Sequence, residues 1–344
     1  MQFLLSVSFL VAQSSAWSWT VSNASNFGPK VSGHACAVSE DPGRIMIFGG
    51  LTGSAGSPTT ADLWEWKGGK EVWDRLPGKA EEGAARPGRR MYAASAVLGG
   101  SFYLFGGWDP GEPGSGGKFL DDIWRLSLDT NTWDRMECSL PFPVSRHCAC
   151  AVGPDAIAIH THKGLLLFSQ DGGVWSVSEK VAAGKGPRGL SMCASTAVSG
   201  SDGTRGRDML IFGGSTRTQE LSSAAFVLDT QSWTWRKLVS EGGPGPIASS
   251  CASSLRGSNR CIVFGGATLG EEGYAGGLIP KNDTWLLTVN GASAEWEQIA
   301  AESESPEGRV AASLAAVGDD IVLQGGWDPL SKDTYGDKTW ILKE

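Results

Sequence analysis

The chain has 344 residues, of which 48 are Gly, 15 are Trp and only 4 are Tyr; 41% are hydrophobic and 19% charged. This composition excludes a disordered, highly charged tail, and the lack of Gly at every third position excludes a collagen. A formal net charge of −8 argues against a sequence-independent nucleic-acid binder, which needs clustered Lys and Arg, and no apolar run approaches the roughly 20 residues needed to span a bilayer.

Gly weakens helix interiors and supplies the positive φ angles of turns, so its excess predicts an all-β chain rich in tight turns. At the amino terminus, Phe3 to Ala12 is a short apolar stretch followed by small residues at Ser14 and Ala16. That pattern fits a secretory signal or apolar leader over residues 1–16, although no basic side chain precedes it. Two N-glycosylation sequons, at Asn23 and Asn282, are compatible with a secretory or extracellular location; the alternative is cytoplasmic.

From residue 17 onward the chain repeats itself. Apolar strands ending in a Gly pair recur as IMIFGG (45–50), FYLFGG (102–107), MLIFGG (209–214), CIVFGG (261–266) and IVLQGG (321–326). The first Gly of each pair falls at 49, 106, 213, 265 and 325, so one interval, 107 residues, is about twice the others. A sixth, degenerate copy is therefore expected between Gly107 and Gly213, with AIAIHTH (156–162) in the place of the Gly-pair strand. Before each copy lies a strand of small residues, such as HACAV (34–38), AASAV (93–97) and CACAV (148–152). After it comes a variable loop and then two strands bearing Trp, as in DLWEW (62–66) followed by Trp73.

Four strands per period of roughly 50 residues are the blade of a β-propeller, and the Gly pair with spaced Trp resembles the kelch repeat. The resemblance implies a six-bladed kelch-type propeller over residues 17–344, within the superfamily of the galactose oxidase central domain, with a degenerate third blade at about 143–180. The last copy stops at Trp340-Ile341-Leu342, and Trp17 to Val21 (WSWTV) has no blade of its own. The amino-terminal strand is therefore expected to complete the sixth blade and remove an exposed edge.

Antiparallel strands put the lead-in to strand one and the exit of strand two on one face, where variable loops gather. That face carries Arg89, Arg90, Arg146, Arg188 and Arg309 just ahead of the inner strands, and the twin sequences Trp108-Asp109-Pro110 and Trp327-Asp328-Pro329. Kelch domains that bind peptides commonly place Arg here, so the resemblance implies a non-catalytic module that offers this face to a protein or acidic peptide. The same Arg residues could instead pair with nearby acidic loops, and Trp108 and Trp327 could be partner anchors or turn residues. The Gly-rich loop Ala267 to Lys281 reads as structureless and suited to conferring specificity.

The alternative is a propeller enzyme with a metal or small-molecule site in the mouth, since fold does not fix function. Galactose-oxidase-like copper chemistry would need a Tyr and His grouping that Tyr92, Tyr103, Tyr274 and Tyr335 do not show beside the four His, and the iron-site spacing of nitrile-specifier proteins is absent. No cofactor is therefore expected. His160 and His162, two apart on one strand, are the weak metal candidates, with no third ligand nominated. Five of the seven Cys fall on the small-residue strands and read as compact buried hydrophobes.

Overall fold

The computed structural model describes residues 17–344 apart from 24, 25, 27, 40–42, 54–57, 78, 81–84, 112–114, 201 and 301–303. The leader and part of the Asn23 sequon lie outside them. Apart from one 3-10 turn at Gly68–Lys70, every described element is a strand, and no helix among the described residues is long and apolar enough to cross a membrane.

Six sheets of four antiparallel strands follow one another in a ring. Blade 1 comprises Ala35–Ser39, Arg44–Phe48, Leu63–Lys67 and Val72–Leu76, and blade 2 comprises Ala94–Leu98, Ser101–Asp109, Lys118–Ser127 and Thr132–Ser139. Blade 4 is built from Ala194–Val198, Asp208–Phe212, Ala225–Asp229 and Thr234–Lys237, and blade 5 from Cys251–Ser254, Arg260–Phe264, Thr284–Asn290 and Ser293–Ile299. The third blade is complete: Cys148–Ala151, Ala156–Thr161, Gly164–Asp171 and Val174–Lys180. What makes it look degenerate is a tight hairpin between its second and third strands, pairing Thr161 with Gly164, where the other blades carry a loop.

Blade 6 joins the two ends of the chain. Ser313–Val317, Asp320–Gln324 and Trp340–Lys343 are completed by Ser18–Val21, in a register that pairs Ser18 with Lys343 and Val21 with Trp340. The outer edges of blades 2, 4 and 5 each receive a short parallel strand, at Lys79–Ala80, Ala183–Gly184 and Val239–Glu241, which blunts edges that would otherwise be open to pairing.

The hydrophobic core is divided into six clusters, each between two neighbouring blades. Side chains alternate across a strand, so each blade sends one face to the blade before it and the other to the blade after. Trp66, Trp73 and Trp133 are fully buried in these wedges, each hiding about 150 Å² or more of largely apolar surface.

One contact recurs at the junctions. The last residue of strand two reaches the strand-four Trp of the next blade: Phe48 meets Trp133 at 5.3 Å, Phe212 meets Trp296 at 4.8 Å and Phe264 meets Trp19 at 5.5 Å between ring centroids. Pairing with the inner strands places His160 and Gln324 in the same slot. His160 packs edge-on to Trp235 at 6.2 Å. Gln324 instead accepts a hydrogen bond from Thr339 Oγ1, 2.7 Å, which in turn accepts one from Trp73 Nε1, 3.0 Å.

The Gly pairs belong to these junctions as well. Both members have positive φ, for example 71° and 100° at Gly49 and Gly50. The second donates its backbone N–H to a carbonyl of the next blade's lead-in: Gly50 to Arg90, Gly107 to Val144, Gly214 to Ile247, Gly266 to Arg309 and Gly326 to Val31. The first must lack a side chain, because a Cβ at Gly49 or Gly213 would lie 2.5 or 2.6 Å from that same carbonyl oxygen. A tight turn was the expected role; the larger one is to tie each blade to its successor.

Candidate functional site

The lead-in segments converge on the propeller axis and form a closed ring of backbone hydrogen bonds. Gly33 donates to Ala311, Ala311 to Ser249, Ser249 to Met192, Met192 to Arg146, Arg146 to Tyr92 and Tyr92 to Gly33, at 2.6 to 3.0 Å. All six residues are left-handed, with φ between 53° and 61°. Five of the six are not Gly, a conformation that costs each of them energy and that the circular bonding holds in place.

This ring opens on a cavity of about 130 Å³ at the centre of the face, lined by the ring residues and by those that follow them, among them His34, His147 and Ser250. Arg146 is the one charged member of the ring. Its guanidinium lies 4.6 Å from the centroid of the Tyr92 ring, a cation–π contact. Its Nε has no hydrogen-bond partner among the described residues, and its Nη1 donates only to Ser145 Oγ at 3.3 Å.

Beneath Arg146 the site is uncharged. Burial drives the His147 imidazole down to about 3, helped by the neighbouring His160, and burial likewise takes His34 to about 4. Both are therefore neutral imidazoles near neutral pH. His34 Nε2 is 2.8 Å from Ser313 Oγ, whereas neither nitrogen of His147 and not Ser250 Oγ has a hydrogen-bond partner among the described residues. Deeper still, small residues and the thiols of Cys36, Cys148, Cys193 and Cys251 line the axis. Burial pushes the Cys36 and Cys251 thiols up to about 12, so they stay protonated. All seven Cys are unpaired.

The Arg residues nominated by sequence separate into different roles. Arg90 is buried and holds Asp122 bidentately at 2.6 and 2.9 Å, while also donating to Gly106 O and Gly88 O. Arg309 is equally buried, donates to Gly325 O, Glu307 O and the Glu307 carboxylate, and lies 4.0 Å from the Tyr335 ring centroid. Neither is presented to a partner. They occupy the repeat position that Val31, Val144, Leu190 and Ile247 fill elsewhere, and their long side chains run inward beneath the Gly pair. Arg89 stands on the rim of blade 2 and pairs with Asp109 at 3.1 Å. Arg188 is exposed but lies off the axis, between blades 3 and 4.

Trp108 and Trp327 are equivalent residues, one step outside the ring and half-buried. Each exchanges a pair of backbone hydrogen bonds with its lead-in, Trp108 with Met91 and Trp327 with Val310. Their neighbours shape the loops: Asp109 Oδ1 accepts from Gly111 N at 2.9 Å, and Asp328 Oδ1 from Leu330 N at 2.8 Å. The loop expected to be structureless at 267–281 is a β-hairpin, Ala267–Gly270 with Gly273–Pro280.

Among the described residues no group of three or more His, Cys, Asp or Glu could hold a metal ion. His162 Nε2 lies 2.9 Å from the Arg217 guanidinium, whose charge opposes a cation at that nitrogen. Tyr103 is buried in the wedge between blades 2 and 3, against Phe168 and Trp175, and Tyr335 packs on Arg309; neither stands beside Tyr92 and His147 at the mouth.

A family model described as the KLHDC2/KLHL20/DRC7 Kelch-repeats domain matches residues 5–198 and 161–343. Acyl-CoA-binding domain-containing protein 5 of Arabidopsis thaliana is 22% identical over 70% of this chain and 36% of its own length. Adagio-like protein 3 of Oryza sativa subsp. japonica is 26% identical over 90% of the chain and 47% of its own length, and kelch domain-containing protein 10 of Homo sapiens is 26% identical over 36% of the chain and 26% of its own. The chain thus spans less than half the length of each of these relatives. The solved structure titled "Structure of YjhT" shares the fold, with a TM-score of 0.64 at 19% identity, covering 90% of this chain and 93% of that one.

Proposed function

This chain belongs to the kelch-repeat domain family, and from that membership we propose a non-catalytic interaction module whose central mouth holds an extended acidic segment of a protein partner. Arg146 carries the reading. It is a cation with no ion-pair partner among the described residues, oriented by the Tyr92 face and set above a small neutral cavity. A partner carboxylate would meet there a fork of donors already held in place, and such charge-assisted pairs are the strong ones. Tyr92 and Met192 flank it with apolar surface, and half-buried Trp108 and Trp327 extend that surface outward, residue types suited to anchoring a partner. Arg89, Asp109 and Asp328 stiffen the surrounding rim.

The experiment is fluorescence anisotropy with a panel of labelled peptides, each acidic sequence matched by its Asn/Gln counterpart. Acidic members should bind the wild-type chain and lose at least ten-fold in affinity on Arg146→Ala with the melting temperature unchanged. Equal binding of the neutral peptides, or an unaltered Arg146→Ala variant, refutes the acidic mouth. A secretory route is part of the same proposal and rests on residues 1–16; a purified native chain whose mass includes Met1 would refute it.

A further inference from the structure

The junction between blades 3 and 4 differs from the other five. With Thr161-His162 in place of the Gly pair, no glycine N–H reaches the lead-in of blade 4 among the described residues, and the junction is spanned instead by the His160 imidazole packed edge-on to Trp235 of blade 4. The hairpin turns back at once through His162 and Lys163. The rim is therefore low here, and a cleft of about 380 Å³ opens beside it, sharing no lining residue with the central cavity. That volume lies within the range of small-molecule sites.

The lining combines two chemistries. Phe142 and Trp235 give an aromatic floor. Lys163, Lys180 and Arg188 give three cations, none in an ion pair among the described residues; Lys163 Nζ sits 3.9 Å from the Phe142 ring centroid and Lys180 Nζ 4.3 Å from that of Trp233. Glu179 also lines the cleft but pairs with none of them. A local excess of cations on a chain of net charge −8 is a counter-ion trap. His160 adds a nearly fully buried polar group on the same wall, its Nε2 without a hydrogen-bond partner among the described residues.

We propose that this cleft is a second binding site, separate from the mouth, for a small molecule that carries a phosphate or carboxylate on a compact apolar body. The anion sits among Lys163, Lys180 and Arg188, and the apolar body lies on Trp235 and Phe142. The site stands whether or not Arg146 binds a peptide.

Isothermal titration calorimetry with phenyl phosphate tests it on the full chain. Saturable one-to-one binding is expected, weakening with added salt, at least ten-fold tighter than inorganic phosphate or benzyl alcohol alone. The combined Lys163→Gln, Lys180→Gln, Arg188→Gln variant should lose at least ten-fold with an unchanged melting temperature. Ala182→Phe, which fills the cleft without removing charge, should lose as much, and Arg146→Ala should bind as wild type. No saturable binding, equal binding by inorganic phosphate, or retention by either cleft variant overturns the proposal. A blocked phosphotyrosine peptide that binds ten-fold tighter than phenyl phosphate overturns the small-molecule assignment in favour of a partner chain.

Discussion

Gly49 stands so close to Arg90 of the next blade that a methyl group on its α-carbon would lie 2.5 Å from the Arg90 carbonyl oxygen. That oxygen also accepts the Gly50 N–H at 2.8 Å, so it cannot retreat without breaking the junction. Gly49→Ala is therefore expected to cost about 2 kcal/mol or more, from a backbone clash added to a φ of 71°. Gly99→Ala is the control. Its φ is also positive, at 54°, but nothing lies within 4 Å of the added carbon, and a loss of about 1 kcal/mol is expected. Equal losses in urea titrations would mean that the inter-blade contact contributes nothing.

Two arginines near the same face should behave oppositely. Arg90→Ala leaves Asp122 half-desolvated, although the Arg90 guanidinium now holds that carboxyl below its ordinary range against the upward push of burial. Removing one partner of such a pair costs about 3–5 kcal/mol, so the variant should melt far earlier or fail to fold. Arg146→Ala should melt as wild type and lose peptide binding. If Arg90→Ala were as stable as wild type, its buried network would not be structural.

The ring and its closure were legible in sequence because five Gly pairs mark equivalent positions and the unpaired strand at Trp17 to Val21 had one place to go. The division among the arginines was not. Arg90 and Arg309 look like loop residues until the lead-ins are aligned on their inner strands, which sets them in line with Val31, Val144, Leu190 and Ile247. The same alignment puts Arg146 in register with Gly33, a signal for its left-handed, axis-facing position. The blade 3 cleft was hidden because it arises from a missing loop, and the cations around it come from three separate segments.

Acid should weaken the fold through its buried imidazoles. Burial holds His160 at about 4 and His147 at about 3 in the folded chain, against about 6.5 when unfolded. Between pH 6.5 and 4 the unfolded chain therefore binds more protons, and stability falls as pH falls. Each group should cost about 2 kcal/mol by pH 5. His160→Phe installs the residue found at the matching positions Phe48, Phe105, Phe212 and Phe264. It should shallow the dependence of urea-unfolding stability on pH over this range by close to one proton. A variant with the wild-type slope would show that His160 is not desolvated.

Closure by the amino-terminal strand makes a residue near the start of the chain a core residue of the last blade. Trp19 is 6% exposed, donates from Nε1 to Thr284 Oγ1 at 3.0 Å and meets Phe264 edge-on at 5.5 Å. It thus joins the closing strand to blade 5, and its removal opens a cavity in the wedge between blades 5 and 6. Trp19→Ala is expected to cost about 3–5 kcal/mol. The strand itself can be tested separately by hydrogen exchange. Its backbone pairs with Trp340–Lys343, so amides on both strands should lose protection together in the variant. Exchange confined to residues 18–21, with Trp340–Lys343 still protected as in wild type, would show that blade 6 holds without its closing strand.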